Sequence, residues 1–299
     1  MKKIFLLITF TFFGVTSLIA EPLVSTQWLH DNLTNPNIKI LDIRNKIDGG
    51  SFELYEQAHI PGAVYSNYLE DGWRVNSKDD VPGMLPATQD LELLVQRLGI
   101  SNDDHVIIVS GGNSSTDFGS AARIYWTFKT ISHENVSILN GGFQSWNEEN
   151  LPVEKGSIEP TKSNFKAIFT DKYLALASDV EKNISSSSIE LVDARPEIQF
   201  SGKEKSGVVS RYGTIKSAKN FQQNSLTLPN SSKLKSIDEI EELLFASGLD
   251  KELSKITFCN TGHWAAVSWF ALSEYLDLDD IKMYDGSMAE WDKLGNEIL

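Results

Sequence analysis

The chain has 299 residues, a formal net charge of −14 at pH 7 and a single cysteine. This acidic balance disfavours nucleic-acid binding, because phosphate contacts need a basic surface. A lone cysteine excludes an internal disulfide, and the five histidines form no ligand-like cluster, so no metal site is expected. The length favours two ordinary domains over one.

The N-terminus predicts export. Residues 1–20 show the layout of a secretory signal peptide, with two lysines, an apolar run from Ile4 to Phe13 and a small residue at Ala20. Leu18 occupies a position where cleavage sites prefer a small residue, so an uncleaved anchor is the alternative. No later run has the roughly 20 apolar residues of a membrane span. We expect a periplasmic or secreted protein without a stable membrane span after cleavage.

An internal repeat organises the rest of the chain. Three pairs of segments match at a nearly constant spacing: Ile38–Arg44 with Ile189–Arg195, His105–Gly112 with Lys255–Gly262, and Val136–Trp146 with Ile281–Trp291. This pattern indicates a duplicated domain of about 130 residues rather than a short solenoid repeat. We therefore predict one domain over residues 21–151, a linker rich in proline and charge over 152–170, and a second domain over 171–299.

Each copy alternates short β-branched runs with helical patterns. The helices are predicted at residues 88–98, 118–131, 236–246 and 263–276. Capping boxes are expected at Ser236 with Glu239 and at Ser287 with Glu290. Strands alternating with helices are typical of a parallel sheet covered by helices, so the fold class is α/β, twice over.

The only cysteine lies where a strand pattern gives way to a helix pattern. The run Ile256–Phe258 leads to Cys259, and the helix is expected to begin near His263 or Trp264. A thiol there would lie beside the free N–H groups of a helix start, which favour an anion. Gly262 would let successive amides turn toward the sulfur. The residues leave two interpretations open, a nucleophile or a buried inert cysteine.

Several motifs together resemble the tandem-domain rhodanese sulfurtransferases. They are "LDIR" and "LVDAR", "EQAHIPGAVYSN" at Glu56–Asn67, the two segments ending in Trp146 and Trp291, and a cysteine loop in the second copy only. Ser110 occupies the position in the first copy that matches Cys259. The resemblance implies that Cys259 is the nucleophile and that the first domain is structural.

The resemblance also implies the chemistry. Cys259 would take a sulfane sulfur from a small-molecule donor such as thiosulfate or 3-mercaptopyruvate, hold it as a persulfide and pass it to a thiophilic acceptor, with no cofactor besides that covalent persulfide. The predicted binding residues are those of the loop: Asn260, Thr261, Gly262, His263, Trp264 and Ala265. Their backbone amides would stabilise the anionic sulfur.

This loop lacks the basic residue that thiosulfate-using loops of the family often carry. His263 is its only titratable side chain apart from the thiol, and it is interpreted either as an anion donor or as a solvated group. Arg211, with Lys216, is predicted to supply the missing charge, with plain surface cations as the alternative. Gln199 stands where related enzymes place a substrate-binding arginine.

Asp193 and Arg195 are predicted to support the fold rather than the chemistry. Their counterparts Asp42 and Arg44 occur in the copy that has no cysteine, and a feature shared by both copies is better explained by folding.

Two other classes of protein are the alternatives to a sulfurtransferase. Cysteine-dependent phosphatases need an arginine after five intervening residues, and Ala265 stands there instead. A non-catalytic exported scaffold is the alternative function, since both copies could have become binding modules.

Overall fold

The computed structural model describes residues 20–184 and 188–299. They form two similar halves, each a five-stranded parallel sheet covered by helices, which confirms the predicted α/β class. Most of the proposed signal segment, residues 1–19, lies outside the described residues. No helix in the described part of the chain is long and apolar enough to cross a membrane.

The first half has the strand order β1-β5-β4-β2-β3. Its strands are β1 (Leu23–Val24), β2 (Ile38–Asp42), β3 (Val64–Tyr65), β4 (His105–Val109) and β5 (Val136–Leu139). Its helices are α1 (Thr26–Asn32), α2 (Phe52–Gln57), α3 (Thr88–Arg97), α4 (Ser115–Thr130) and α5 (Gly142–Glu148).

The second half repeats this arrangement in the order β6-β10-β9-β7-β8. Its strands are β6 (Leu174–Ala175), β7 (Ile189–Asp193), β8 (Lys219–Asn220), β9 (Ser254–Phe258) and β10 (Ile281–Tyr284). Its helices are α6 (Ala177–Asn183), α7 (Glu197–Phe200), α8 (Ile237–Ala246), α9 (His263–Trp269) and α10 (Ser287–Lys293), with a π-helical turn at Phe270–Tyr275 after α9 and a short 3₁₀ turn at Gln223–Ser225.

The strand register shows where the cysteine lies relative to the second sheet. In the parallel pair β7 and β9, Asp193 lies beside Phe258. The segments that follow the two strands therefore begin side by side at the carboxyl-terminal end of the sheet. Both strands are almost entirely buried, because their β-branched and apolar side chains are covered by helices on both faces. The residue after β9 is Cys259.

The repeated Asp-x-Arg motif forms a buried ion pair in each half. Arg195 Nη2 lies 2.6 Å from Asp193 Oδ2 and also donates to the carbonyl of Gly213. Arg44 Nη2 lies 2.8 Å from Asp42 Oδ2. Because the contact is made in both copies at the end of the same strand, it ties each sheet to the loop beside it. In both copies the arginine is paired with a buried protein carboxylate.

The long helix α4 joins the halves. It is buried from Asp117 to Thr130 and packs against α9, with ring centroids of Phe118 and Phe270 5.5 Å apart. One hydrophobic core therefore extends through both copies. The segment between the copies also packs, since Phe165 is buried and its carbonyl accepts from Gln96 Nε2 of α3.

The capping predictions had different outcomes. At α8 the Ser236 hydroxyl accepts from the Glu239 amide and the Glu239 carboxylate accepts from the Ser236 amide, so this capping box is confirmed. The box predicted at Ser287 with Glu290 is wrong. Ser287 has a left-handed φ of +51° and its hydroxyl is used elsewhere.

Candidate active site

Cys259 lies between β9 and α9 and borders a cavity between the two halves. Its side chain is buried, with 1% exposure, and the cavity has a volume of about 240 Å³. Helix α9 begins four residues later, at His263. The predicted strand, loop and helix around the cysteine are therefore confirmed.

The cavity wall combines both halves of the chain. The first half contributes Ile47, Arg74 and Thr116, and the second half contributes Ser206 and Val208 besides the cysteine loop. Of the predicted loop residues, four line the cavity: Asn260, Thr261, His263 and Trp264. Gly262 and Ala265 are fully buried and lie behind this lining.

The backbone of the loop leaves several donors unused. The N–H groups of Cys259 and Gly262 both donate to Ser287 Oγ, each at 3.1 Å. Within the described residues, five further amides have no acceptor: those of Asn260, Thr261, His263, Trp264 and Ala265. Unused amides at a turn and a helix start attract an anion without a charged side chain.

The Ser287 side chain hydrogen-bonds to the cysteine loop instead of capping α10. Its hydroxyl donates to the carbonyl of Tyr284 at 2.9 Å while accepting from the two loop amides. The first amides of α10, at Met288 and Ala289, donate to the carbonyls of Cys259 and Asn260, both at 3.0 Å. The loop carbonyls are thus satisfied on the α10 side.

Gly262 is the one loop position where a side chain could not fit. Its φ is +73°, and a Cβ would lie 2.2 Å from Arg123 Nη1. Arg123 is fully buried in α4, pairs with Asp285 at 2.5 Å and donates to the carbonyl of Gly83. A first-half guanidinium therefore lies directly behind the cysteine loop.

His263 is a buried, neutral residue, and its interpretation as a solvated group is wrong. Its Nε2 lies 2.8 Å from the Thr116 carbonyl oxygen, and its Nδ1 lies 2.8 Å from the Tyr68 hydroxyl. Because a carbonyl can only accept, Nε2 carries the proton and Nδ1 accepts from Tyr68. Burial, and then the charge of Arg74, lowers the pKa of His263 to about 3.

Arg211 lies away from the cavity, so its predicted binding role needs correction. Its Nε lies 2.5 Å from Asp292 Oδ1, and its other nitrogens donate to the carbonyls of Asp292 and Asn296. The carboxylate at position 292 fixes the guanidinium against α10. Lys216 is exposed and does not line the cavity either.

Gln199 contacts the cysteine loop through a side chain. Its Oε1 accepts from Asn260 Nδ2 at 2.9 Å. Gln199 stands at the position where the family resemblance predicts a substrate-binding arginine. The contact orients Asn260 but supplies no positive charge.

The corresponding loop of the first half is already filled. Ser110 follows β4 as Cys259 follows β9, but the carboxylate of Asp117 accepts from the amides of Gly111, Gly112 and Asn113. Burial, and then the neighbouring charge of Asp48, raises the pKa of Asp117. An internal carboxylate thus takes the amides that the second half leaves free.

Sequence reasoning missed the first-half residues that reach the loop. Tyr68, Arg74 and Thr116 contact His263, Thr261 and Trp264, and Arg123 approaches Gly262. Arg123 did carry a signal, because it is the only charge inside an otherwise apolar and small helical run from residue 118 to 128. Arg74 carried none, since it lies in a mixed polar segment.

Comparison with known proteins assigns the chain to a family. The model of the rhodanese-like domain matches residues 25–149 and again 176–294. Together these stretches cover most of the chain. The protein belongs to the rhodanese-like family, with two copies of its domain.

Relatives similar over the full length are sulfurtransferases. The chain is 30% identical to 3-mercaptopyruvate sulfurtransferase of Escherichia coli K12, over 90% of this chain and 94% of the relative. It is 31% identical to thiosulfate sulfurtransferase of Gallus gallus, over 91% and 94%. The crystal structure of SseA from Escherichia coli matches with a TM-score of 0.79 at 30% identity, covering 90% of this chain and 99% of that one. The protein is thus a rhodanese-type sulfurtransferase.

Proposed function

We propose that Cys259 carries a sulfur atom as a persulfide between a small-molecule donor and a thiophilic acceptor. The observation that carries this proposal is the position of the thiol, which borders a cavity beside five amides that have no acceptor among residues 20–184 and 188–299. The cycle needs no bound cofactor, because the sulfur travels on the cysteine itself. Thiosulfate and 3-mercaptopyruvate are the candidate donors, since relatives are named for each.

In the first half-reaction the Cys259 thiolate attacks the outer sulfur of the donor. With 3-mercaptopyruvate the carbon–sulfur bond breaks, its electron pair forms the enolate of pyruvate, and a proton from water converts the enolate to pyruvate. With thiosulfate the sulfur–sulfur bond breaks and sulfite leaves with the electron pair. Either reaction leaves one additional sulfur on Cys259.

In the second half-reaction an acceptor nucleophile attacks the outer sulfur of the persulfide. The bond between the two sulfurs breaks, and its electron pair returns to Cys259 as a thiolate. An anionic sulfur is present at the site before and after loading. The unused amides of the loop stabilise that charge in both states.

His263 and Trp264 position the loop instead of moving protons. Both nitrogens of the His263 ring are occupied by first-half partners, and Trp264 Nε1 donates to Thr116 Oγ1 at 3.2 Å. The pKa of about 3 keeps His263 neutral at physiological pH. The first half therefore fixes the shape of the catalytic loop.

Intact-mass spectrometry tests the proposal. Incubation with either donor should add about 32 Da, one sulfur atom, and cyanide should remove it as thiocyanate. Cys259→Ser should remain unmodified and inactive while keeping the wild-type circular dichroism spectrum, because a hydroxyl cannot hold a persulfide. Sulfur transfer that persists in this variant would exclude Cys259 as the carrier.

We also propose that the protein is exported and that its N-terminal segment is removed. The support is the layout of residues 1–20, with lysines, an apolar run and a small residue at Ala20. The mature protein in a periplasmic extract should begin at Glu21. N-terminal sequencing that finds Met1 on membrane-bound protein would favour the anchor instead.

A further inference from the structure

Two acidic side chains meet in the first half, at the loop that corresponds to the cysteine loop. Asp117 is fully buried in the first turn of α4, and Asp48 is partly buried in the turn that follows β2. The amide of Gly111 donates to both, at 3.1 Å to Asp117 Oδ1 and at 3.3 Å to Asp48 Oδ2. The two carboxyl groups also hydrogen-bond to each other. Because an ionised carboxylate can only accept, this bond requires a proton on one of them.

Further backbone amides fix both members of this acid pair, Asp48 and Asp117. The amide of Gly50 donates to Asp48 Oδ1 at 2.7 Å. The amides of Gly112 and Asn113 donate to Asp117 Oδ2, the second at 3.2 Å. Neither carboxyl group can turn away from the other without losing these bonds.

The cations on the surrounding elements do not compensate the acid pair. In the described part of the chain no cation pairs with either carboxyl group. Arg44 is held by the buried carboxylate of its own Asp-x-Arg motif, and Lys46 is exposed. Lys233 approaches from the second half, where its side-chain carbons pack against Gly141. His263 is neutral at physiological pH. Two ionised carboxylates would therefore repel each other, and one retained proton removes that cost.

The acid pair lies directly behind the first-half wall of the Cys259 cavity. Ile47 and Thr116 line this cavity, and they are the chain neighbours of Asp48 and Asp117. The bond between the two acids thus joins the turn after β2 to the start of α4 at the cavity wall. A change in that bond changes the spacing of two lining residues.

Thr116 extends this connection to the cysteine loop. Its carbonyl oxygen lies 2.8 Å from His263 Nε2, and its hydroxyl accepts from Trp264 Nε1 at 3.2 Å. Both contacts come from the residue that precedes Asp117 in the first turn of α4. The position of this turn therefore sets the position of two side chains of the catalytic loop.

We propose that Asp48 and Asp117 share one proton at neutral pH and that this proton keeps the first-half wall of the Cys259 cavity closed against the catalytic loop. When the proton passes to solvent, two carboxylates remain, and their repulsion separates the turn after β2 from the start of α4. The contacts of Thr116 with the loop are then weakened. The effect on activity rests on the proposed sulfur transfer, whereas the shared proton does not. Both acids are positioning residues, since neither lines the cavity.

Infrared spectroscopy tests the shared proton without any substrate. At pH 7 the wild-type protein should show the C=O stretching band of a protonated carboxylic acid, and Asp117→Asn should lack it. Asp48→Asn should lack it too, because Asp117 without an acidic neighbour ionises beside its three amide donors. Asp103→Asn removes an exposed carboxylate and should keep the band. A band that survives in Asp48→Asn would show that the proton is not shared and would overturn the proposal.

The pH profile of persulfide loading tests the coupling to the catalytic loop. Burial, and then the charge of Asp48, raises the pKa of Asp117 to about 8, so the acid pair loses its proton in mild alkali. Asp117→Asn imitates the protonated pair at every pH, because its Oδ1 can accept from the loop amides and its Nδ2 can donate to Asp48.

The ratio of wild-type to Asp117→Asn loading rates cancels the ionisation of the thiol and the donor. This ratio should fall about 3-fold to 10-fold between pH 7 and pH 9, since about nine-tenths of the pairs are deprotonated one unit above the pKa. The ratio of wild type to Asp103→Asn should stay constant. A constant ratio for Asp117→Asn as well would overturn the coupling.

Hydrogen exchange distinguishes failure here from failure of the proposed function. At pH 9 the amides of residues 260–265 should exchange about 3-fold to 10-fold faster in wild type than in Asp117→Asn, with or without donor. Equal exchange in the two proteins would overturn the proposal. Faster exchange in wild-type protein that accepts no sulfur from either donor would uphold the role of the acid pair and reject the sulfurtransferase mechanism.

Discussion

The hydroxyl of Tyr68 lies 2.8 Å from Nδ1 of His263, and both side chains are buried. The first half thereby holds the residue that begins the helix after the catalytic cysteine. Because Nδ1 is an acceptor in a dry environment, loss of its donor leaves it unsatisfied. This one contact couples the stability of the domain interface to the shape of the active loop.

Tyr68→Phe should therefore destabilise the protein by about 1–3 kcal/mol, the cost of leaving a buried polar group unpaired. Urea unfolding monitored by circular dichroism measures the change. Tyr212→Phe is the matched control, because Tyr212 is 56% exposed and should tolerate the loss of its hydroxyl. Equal stabilities of the two variants would show that the Tyr68 hydrogen bond contributes nothing measurable.

Gly262→Ala should be much more harmful than Gly248→Ala. Both glycines have φ near +70°, so both variants carry the left-handed strain of about 1–2 kcal/mol. Only at Gly262 would the added Cβ meet another group, Arg123 Nη1 at 2.2 Å; nothing lies within 4 Å at Gly248. The free energy of unfolding and the extent of persulfide loading are compared between the two variants, so that any difference reflects the close approach to Arg123. Equal losses in both variants would contradict the prediction.

Ser110→Cys should not create a second sulfur carrier. The amides that would stabilise a thiolate there already donate to the carboxylate of Asp117. In the Cys259→Ser background this variant should gain no sulfur on incubation with donor. Intact-mass spectrometry would refute the prediction by finding an added 32 Da, about one sulfur atom, that cyanide removes.

The buried His263 predicts a loss of stability in mild acid. Its folded pKa of about 3 lies below the usual value of 6.5, so the unfolded chain binds the proton first. Stability from the neutral ring is present above about pH 6.5 and falls as the pH drops toward 3, by about 2 kcal/mol at pH 5. Other groups titrate in this window, including His105, whose pKa burial lowers to about 4.

A paired comparison isolates that effect. His263→Gln keeps polar atoms at the position but removes the titration, so the difference in unfolding free energy between wild type and variant should shrink from pH 7 to pH 5. Urea titrations at several pH values give the dependence of the unfolding free energy on pH for wild type and for the variant. The same dependence in both proteins would mean that His263 does not change protonation on unfolding.

The sequence predicted the repeated architecture because its signals are local and strong. Buried parallel strands such as β4 and β9 appear as apolar runs, and α8 begins at a capping box. The same reasoning failed at Ser287, where the serine–glutamate pattern was present but the hydroxyl binds the cysteine loop. A local pattern could not show that a distant loop competes for that side chain.

The residues around the cavity also show what local sequence patterns cannot predict. Cys259 and its loop could be recognised within one short segment, whereas Arg74 and Tyr68 reach the loop from almost 200 residues away. The sequence suggests a substrate role for Arg211 because this cation lies in the second-copy segment that corresponds to the HIPGA run of the first copy. The carboxylate of Asp292 holds it instead, and no local pattern predicts that pairing.

The Asp117 side chain fills the amide-lined loop of the first half, so that loop has a built-in occupant where the second half leaves its amides free. That half thus remains in the equivalent of a liganded state throughout the catalytic cycle, while the loop at Cys259 alternates between loaded and unloaded. Hydrogen exchange in the two loops should differ accordingly: protection around Gly111 and Gly112 should be independent of donor, and protection from Asn260 to Ala265 should rise on sulfur loading. In one copy of the duplicated domain the loop amides keep the same partner throughout the cycle, and in the other copy their partner changes as sulfur is loaded and released.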